Sequence, residues 1–193
     1  MSSPGLAQRT EIRLAGNGGQ GLVLAGIILA EAAGLFEGRP VAQTQVYGPE
    51  SRGGASRTDI IIDRVAVDYP KATAPDALLV MSEDAWRRFG ASVRAGGLVI
   101  FDIDLVRPET GAETRAVGLP LTRAARDSLG RAIVANVLGL GALVALTGVV
   151  SRRALEAAVR HRAPRGSGEI NARALAVGWD LALAAAAPAG ARP

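Results

Sequence analysis

The chain has 193 residues, 49% of them hydrophobic, with 22 Lys and Arg against 18 Asp and Glu for a formal charge of +4. Its length suits one domain, and so apolar a chain is not a disordered tail or linker, which would be too polar to bury a core. With no cysteine and a single histidine, His161, disulfides, thiol nucleophiles, cysteine-ligated iron–sulfur clusters and multi-histidine metal centres are excluded on this chain, so any redox or metal chemistry must come from a partner.

In chain order, Glu11 to Ala15 reads as a short strand running into Gly16-Asn17-Gly18-Gly19-Gln20-Gly21, and Leu22 to Ala33 as an apolar helix stopped by Gly34. Pro40 to Tyr47 alternates like a strand, Gly48 to Ser56 is a loop rich in Gly, Pro and Ser, and Thr58 to Asp63 is a strand. Ala77 to Met81 is another strand. Ser82 caps a helix reaching Phe89, with Glu83 and Asp84 in the first turn where carboxylates suit the helix dipole. Gly97 to Asp102 is one more strand, and Asp104 to Gly118 has no clear pattern. Helical periodicity follows at Leu121–Leu129, Arg131–Leu146, Ser151–Arg160 and Asn171–Ala187. The alternation predicts an α/β fold, a Rossmann-like three-layer domain with a mostly parallel sheet and a helical C-terminal portion. A single domain over 10–187 is expected, with flexible ends at 1–9 and 188–193.

The basic balance does not read as nucleic-acid binding. All basic residues but Lys71 are arginine, acids are interspersed with them, and 4% aromatic content leaves few stacking platforms. The uncharged run Ala132 to Val150 is diluted by alanine and broken by Gly139, Gly141 and Gly148, so it reads as a buried core helix ending near Thr147-Gly148 rather than a membrane span. No targeting segment is visible at Met1-Ser2-Ser3-Pro4-Gly5, and a soluble, cytoplasmic protein is expected. The basic stretch Arg152 to Arg173 reads as a solvated helix face with His161 exposed, Asp102 and Asp104 as turn or cap residues, and Trp86 and Trp179 as packing residues on helices.

Two segments suit anions. Gly16-x-Gly18-x-x-Gly21 lies between a strand and a helix, where the glycines permit a tight turn and close approach and the helix dipole faces the ligand. A ligand-free βα turn remains open. NAD is disfavoured, because Gln43-Thr44-Gln45-Val46 offers no carboxylate about 20 positions on for the ribose. Arg52 keeps NADP in play. In Tyr47-Gly48-Pro49-Glu50-Ser51-Arg52-Gly53-Gly54-Ala55-Ser56-Arg57, two arginines and two hydroxyls flank a Gly-Gly, which suits a phosphate or carboxylate; a glycine-rich loop with solvated or subunit-pairing arginines is equally open.

These two segments, together with Leu24-Ala25, Thr44 to Ser56, Asp68-Tyr69-Pro70, Pro75-Asp76, Asn136-Leu138-Gly139-Gly141 and Asn171, Ala174 and Gly178, resemble the gamma subunit of 2-oxoacid:ferredoxin oxidoreductases over about residues 11–180. The tyrosine-to-serine loop is the most specific part, and its form is closer to the 2-oxoglutarate and general 2-oxoacid branch than to the indolepyruvate branch. The resemblance implies an enzyme that decarboxylates a 2-oxoacid on thiamine diphosphate, passes electrons through [4Fe-4S] clusters to ferredoxin and transfers the acyl group to coenzyme A. It implies that thiamine diphosphate, Mg and the clusters sit on partner alpha, beta and, where present, delta subunits, and that this chain supports assembly and contacts CoA. The residues expected to do so are Gly16, Gly18, Gly19, Gln20, Gly21, Arg52, Gly53, Gly54, Ser56 and Arg57, with no catalytic or metal residue on this chain. A free-standing NADP-type binding protein is the alternative. A scaffold that binds no small molecule is a third reading.

Overall fold

The computed structural model describes residues 9–46, 54–111, 113–163 and 166–187. Six strands form one sheet in the order β2-β3-β1-β4-β5-β6: β1 Arg9–Asn17, β2 Val41–Val46, β3 Ala55–Asp63, β4 Ala77–Val80, β5 Leu98–Asp102 and β6 Arg115–Leu119. β1, β4, β5 and β6 pair in parallel, while β3 runs antiparallel to both β1 and β2, so five of the six strands point one way. β4 and β5 are almost continuously apolar because both of their faces are covered.

The cover is unequal, and it makes three layers. On one face α1 (Leu22–Gly34), α4 (Ala135–Thr147), α5 (Arg152–Arg162) and α6 (Gly168–Ala186) enclose the larger core with Leu14, Ile60, Ile62, Leu79 and Ile100. On the other, α2 (Glu83–Phe89) packs Ala85, Trp86 and Phe89 onto Leu78, Val80 and Val99. The alternation within β4 and β5 sends successive side chains to opposite cores. Helix α1 leaves β1 for one face and α2 leaves β4 for the other, so the crevice between the carboxyl ends of β1 and β4 is the topological switch point.

Local chemistry sets the helix ends, at Ser82 as expected. The Ser82 hydroxyl accepts the Ala85 N–H at 3.2 Å to cap α2, and Ser151 does the same for Ala154 in α5 at 3.2 Å. The apolar run forms a buried helix, α4, which ends at Gly148 in the left-handed region (φ 62°). Among the described residues no helix is long and apolar enough to cross a membrane.

Some boundaries differ from the sequence reading. Arg9, expected in the frayed end, begins β1, and its Nη2 donates to the Tyr69 carbonyl at 2.9 Å. Residues 1–8 and 188–193 lie outside the described part. The patternless stretch before α3 (Leu121–Leu129) contains β6, an edge strand whose outer half is exposed and therefore free of the apolar signature of β4 and β5. A 3-10 turn at Ala132–Val134 precedes α4, so the helix starts four residues later than the periodicity suggests. Helix α6 starts three residues earlier, at Gly168.

Candidate functional site

The glycine segment ends β1 at the switch point, but its first glycine belongs to the strand. Gly16 pairs with Ser56 across the β1–β3 ladder, and the Ser56 hydroxyl donates to the Gly16 carbonyl at 3.2 Å. A Cβ at Gly16 would collide with the Gln20 carboxamide and Leu22, so the glycine is needed for close approach rather than for an unusual φ. The chain reverses over 17–20: the Gly18 N–H donates to the Gly54 carbonyl at 3.2 Å and the Gln20 N–H to the Asn17 carbonyl at 3.2 Å. Gly21 then enters α1 with φ 73°, a conformation that favours glycine.

The Gln20 side chain folds back over this turn. Its Oε1 accepts the Asn17 N–H at 2.7 Å and its Nε2 donates to the Met81 carbonyl at 2.8 Å, so the carboxamide spans the β1–β4 crevice. Asn136, at the start of α4, covers the other side and donates from Nδ2 to the Gly21 carbonyl at 2.9 Å. Three of the turn's N–H groups, on Asn17, Gly18 and Gln20, are thus taken internally. Those of Gly19, Gly21 and Leu22 find no acceptor among the described residues, and α1 has neither a side-chain cap nor an acid in its first turn. The open donors and the helix dipole make the outer rim of the turn, not the crevice, the place that suits an anion.

The second segment is divided by the sheet. Ser56 and Thr58 face α1, where Gln43 Nε2 donates to Thr58 Oγ1 at 2.9 Å. Arg57 faces α2, its guanidinium 5.1 Å from the Phe89 ring centroid and its Nε 3.5 Å from Asp59 Oδ2. Burial first, and the nearby Arg13 charge second, pull the Arg57 pKa below the ordinary arginine value, with Asp59 pulling the other way. Gly54 contributes its carbonyl to the turn. Arg52 and Gly53 lie outside the described residues, as do Tyr47 to Ser51. The structure therefore brings Gly16, Gly18, Gly19, Gln20, Gly21, Gly54, Ser56 and Arg57 to one sheet edge, with Arg57 aimed to the opposite face from Ser56.

Two depressions flank this edge on either side of the exposed Ile133. One, of about 260 Å³, is lined by Gly21, Leu24, Asn136 and Ile170; the other, of about 240 Å³, by Gly19, Gln20, Met81 and Leu105. Asp102 is fully buried and accepts the Asp104 N–H at 3.1 Å and the Thr122 N–H at 2.8 Å, the turn role expected of it. His161 is exposed on α5, with Nδ1 3.3 Å from Glu31. Among the described residues no group of three His, Asp or Glu converges in a way that would hold a metal ion.

One polar element not anticipated from the motifs is the buried pair Arg13–Asp59. Arg13 Nε and Nη2 donate to the two Asp59 oxygens at 2.6 and 3.0 Å, and Nη2 also donates to the Ala72 carbonyl at 2.9 Å. Part of the signal is in the sequence, because Arg13 lies between Ile12 and Leu14 and Asp59 directly precedes Ile60, Ile61 and Ile62.

Residues 11–181 match the protein family described as pyruvate ferredoxin/flavodoxin oxidoreductase. The chain is 44% identical over 181 residues to the 2-oxoglutarate synthase subunit KorC of Methanothermobacter marburgensis, covering 91% of this chain and 97% of that one. It is 40% identical over 184 residues to the subunit of the same name from Methanocaldococcus jannaschii, covering 94% and 98%. The crystal structure of a keto/oxoacid ferredoxin oxidoreductase gamma subunit from Geobacter sulfurreducens superimposes with a TM-score of 0.86 at 44% identity, over 93% of this chain and 99% of that one.

Proposed function

We propose, because the chain belongs to the pyruvate ferredoxin/flavodoxin oxidoreductase family, that it works as the gamma subunit of a 2-oxoacid:ferredoxin oxidoreductase whose substrate is 2-oxoglutarate. The observation that carries this reading is the end-to-end likeness to two KorC subunits of 2-oxoglutarate synthases, at 44% and 40% identity. No observation favours a free-standing NADP-binding protein.

In this reading residues 10–187 act as one domain within a cytoplasmic hetero-oligomer. Thiamine diphosphate, Mg and the [4Fe-4S] clusters belong to the alpha, beta and any delta subunits, where the clusters would supply the electron path to ferredoxin. This chain has no cysteine with which to ligate a cluster. Its contribution is the sheet edge formed by Gly16, Gly18, Gly19, Gln20, Gly21, Gly54, Ser56 and Arg57, acting with Arg52 and Gly53, which precede it in the sequence, toward the catalytic subunits and CoA. The residues fit a phosphate at the outer rim, where the Gly19, Gly21 and Leu22 N–H groups have no acceptor among the described residues. They do not fit a diphosphate inside the β1–β4 crevice, because Gln20 fills it.

The test is affinity capture of the tagged full chain from its native cell extract, followed by assay of the eluate for CoA-dependent reduction of a viologen dye by a panel of 2-oxoacids. The expected result is co-purification of thiamine-binding and cluster-bearing chains with activity on 2-oxoglutarate. Capture of the chain alone, without activity, overturns the subunit reading; activity on another 2-oxoacid overturns the substrate assignment.

A further inference from the structure

Three guanidinium groups surround one aromatic ring on the α2 side of the sheet edge. Arg57, Arg13 and Arg88 place their guanidinium carbons 5.1, 5.9 and 5.9 Å from the Phe89 centroid. Their situations differ. Arg13 is buried and fully committed to Asp59, the Ser92 hydroxyl and the Ala72 carbonyl. Among the described residues Arg57 has no hydrogen-bond partner: its Nε is buried without an acceptor, and its ion pair with Asp59, at 3.5 Å, is too long for a hydrogen bond. Some 28% of the Arg57 side chain still reaches solvent. Arg88 is exposed, and Asp84, four residues before it on α2, makes no ion pair with it. Arg87, by contrast, pairs with Glu83 at 3.5 Å.

Desolvating a cation beside a like charge without giving it a hydrogen bond is costly, and an incoming anion removes that cost. We propose that Arg57 and Arg88 form a subsite for a phosphate or diphosphate group on the α2 face of the sheet edge, beside the Phe89 ring. Charge matching selects the ligand class. Asp59 offsets one of the three guanidinium charges of Arg13, Arg57 and Arg88 at this ring, and the remaining excess of about two positive charges matches a phosphate ester near neutral pH rather than a single carboxylate. The Nη groups of each arginine supply the donors that phosphate oxygens accept. The subsite is separate from the open N–H groups of α1, which lie across the sheet from Arg57. It rests on the reading that this edge meets a phosphate-bearing coenzyme.

The probe is inorganic pyrophosphate, titrated calorimetrically into the full chain at low ionic strength. Wild type and Arg87→Gln are expected to bind alike. Arg88→Gln and Arg57→Gln are each expected to bind roughly tenfold more weakly, and the double variant not measurably. Arg88 is exposed and its replacement leaves the fold intact, so a folding defect in Arg57→Gln does not blunt the test. CoA titrated against the same variants is expected to lose affinity in the same order, which ties the phosphate to the coenzyme. Absence of pyrophosphate binding to wild type, or undiminished binding by the double variant, overturns the subsite. A chain that co-purifies with its partners yet binds no pyrophosphate loses the subsite alone, and one that binds pyrophosphate but comes out alone loses the subunit reading alone.

Discussion

Gln20 is tied to Met81 across the mouth of the sheet, its Nε2 donating to the Met81 carbonyl at 2.8 Å while its Oε1 holds the Asn17 N–H at 2.7 Å. Met81 in turn donates its own N–H to the Ala15 carbonyl at 2.9 Å. A carboxamide offers a donor and an acceptor in a single plane, as this crossing requires. A glycine turn whose spacing suits a diphosphate is thereby closed from within, and its anion-binding capacity is displaced to the start of α1.

Replacing Gln20 with alanine leaves the Asn17 N–H and the Met81 carbonyl without partners in a half-buried crevice. The expected loss is about 1–2 kcal/mol of folding stability. Gln20→Glu keeps the acceptor for Asn17 but sets a carboxylate against the Met81 carbonyl, and is expected to cost at least as much. Urea unfolding midpoints at unchanged m-value check both; a neutral Gln20→Glu would show that the Met81 bond contributes nothing.

The Arg13–Asp59 pair is nearly inaccessible, with 2% and 3% of the side chains exposed. Removing one partner of such a pair leaves an uncompensated buried charge and typically costs about 3–5 kcal/mol. Asp59→Ala is expected at the upper end, because the carboxylate also offsets the Arg57 charge 3.5 Å away. Arg13→Met with Asp59→Leu removes both charges and is expected to recover much of the loss. A double-mutant cycle by chemical denaturation measures the coupling, and a double variant no better than Asp59→Ala would refute this account.

Asn136 bridges two helix starts, donating from Nδ2 to the Gly21 carbonyl at 2.9 Å and accepting the Val137 N–H on Oδ1 at 2.9 Å. The Gly21 carbonyl also receives the Ala25 N–H at 3.0 Å, the first bond of α1. Asn136→Asp puts an oxygen where the donor was, so it is expected to destabilise by about 2–3 kcal/mol, against about 1–2 kcal/mol for Asn136→Ala. Hydrogen exchange at the Ala25 amide is expected to speed up in both. Unchanged exchange in Asn136→Asp would show that α4 does not secure the turn.

The sequence showed its sheet most clearly where strands are covered on both faces. Ala77–Val80 and Leu98–Asp102 are legible because all of their residues but the half-buried Phe101 are shielded from water, whereas Arg115–Leu119 is an edge with exposed residues and carries no such pattern. The Ser82 cap is local chemistry and was readable three residues ahead. The closure of the glycine turn was not, since Gln20 and Met81 lie 61 positions apart and only the register of β1 against β4 brings them together. For the same reason the segment from Arg52 to Arg57 looked like one grip. Strand alternation sends Ser56 and Arg57 to opposite faces, and that division shows only once the strand is placed between two layers. Gly178 is visible in the sequence as part of a motif, but its physical reason is not.

That reason is the crossing of α4 and α6. A Cβ on Gly178 would run into the backbone carbonyl of Leu138, and one on Gly141 into that of Leu175, so each helix gives up a side chain where the other's main chain passes. Two effects oppose each other in Gly178→Ala. Helix propensity favours alanine by about 1 kcal/mol, but overpacking costs about 1–3 kcal/mol even where side chains can yield, and a backbone carbonyl yields less. The clash is therefore expected to win by about 2 kcal/mol, lowering Tm by roughly 4–8 °C at about 2–4 °C per kcal/mol for a chain of this size. Gly168→Ala, in the first turn of the same helix with only the Ala163 Cβ at 4.0 Å, meets no such obstacle and is expected to be neutral or mildly stabilising. Differential scanning calorimetry of the two variants separates packing from propensity. If Gly178→Ala melts at or above wild type, the helices are not held at backbone contact and the proposed reason for that glycine is wrong.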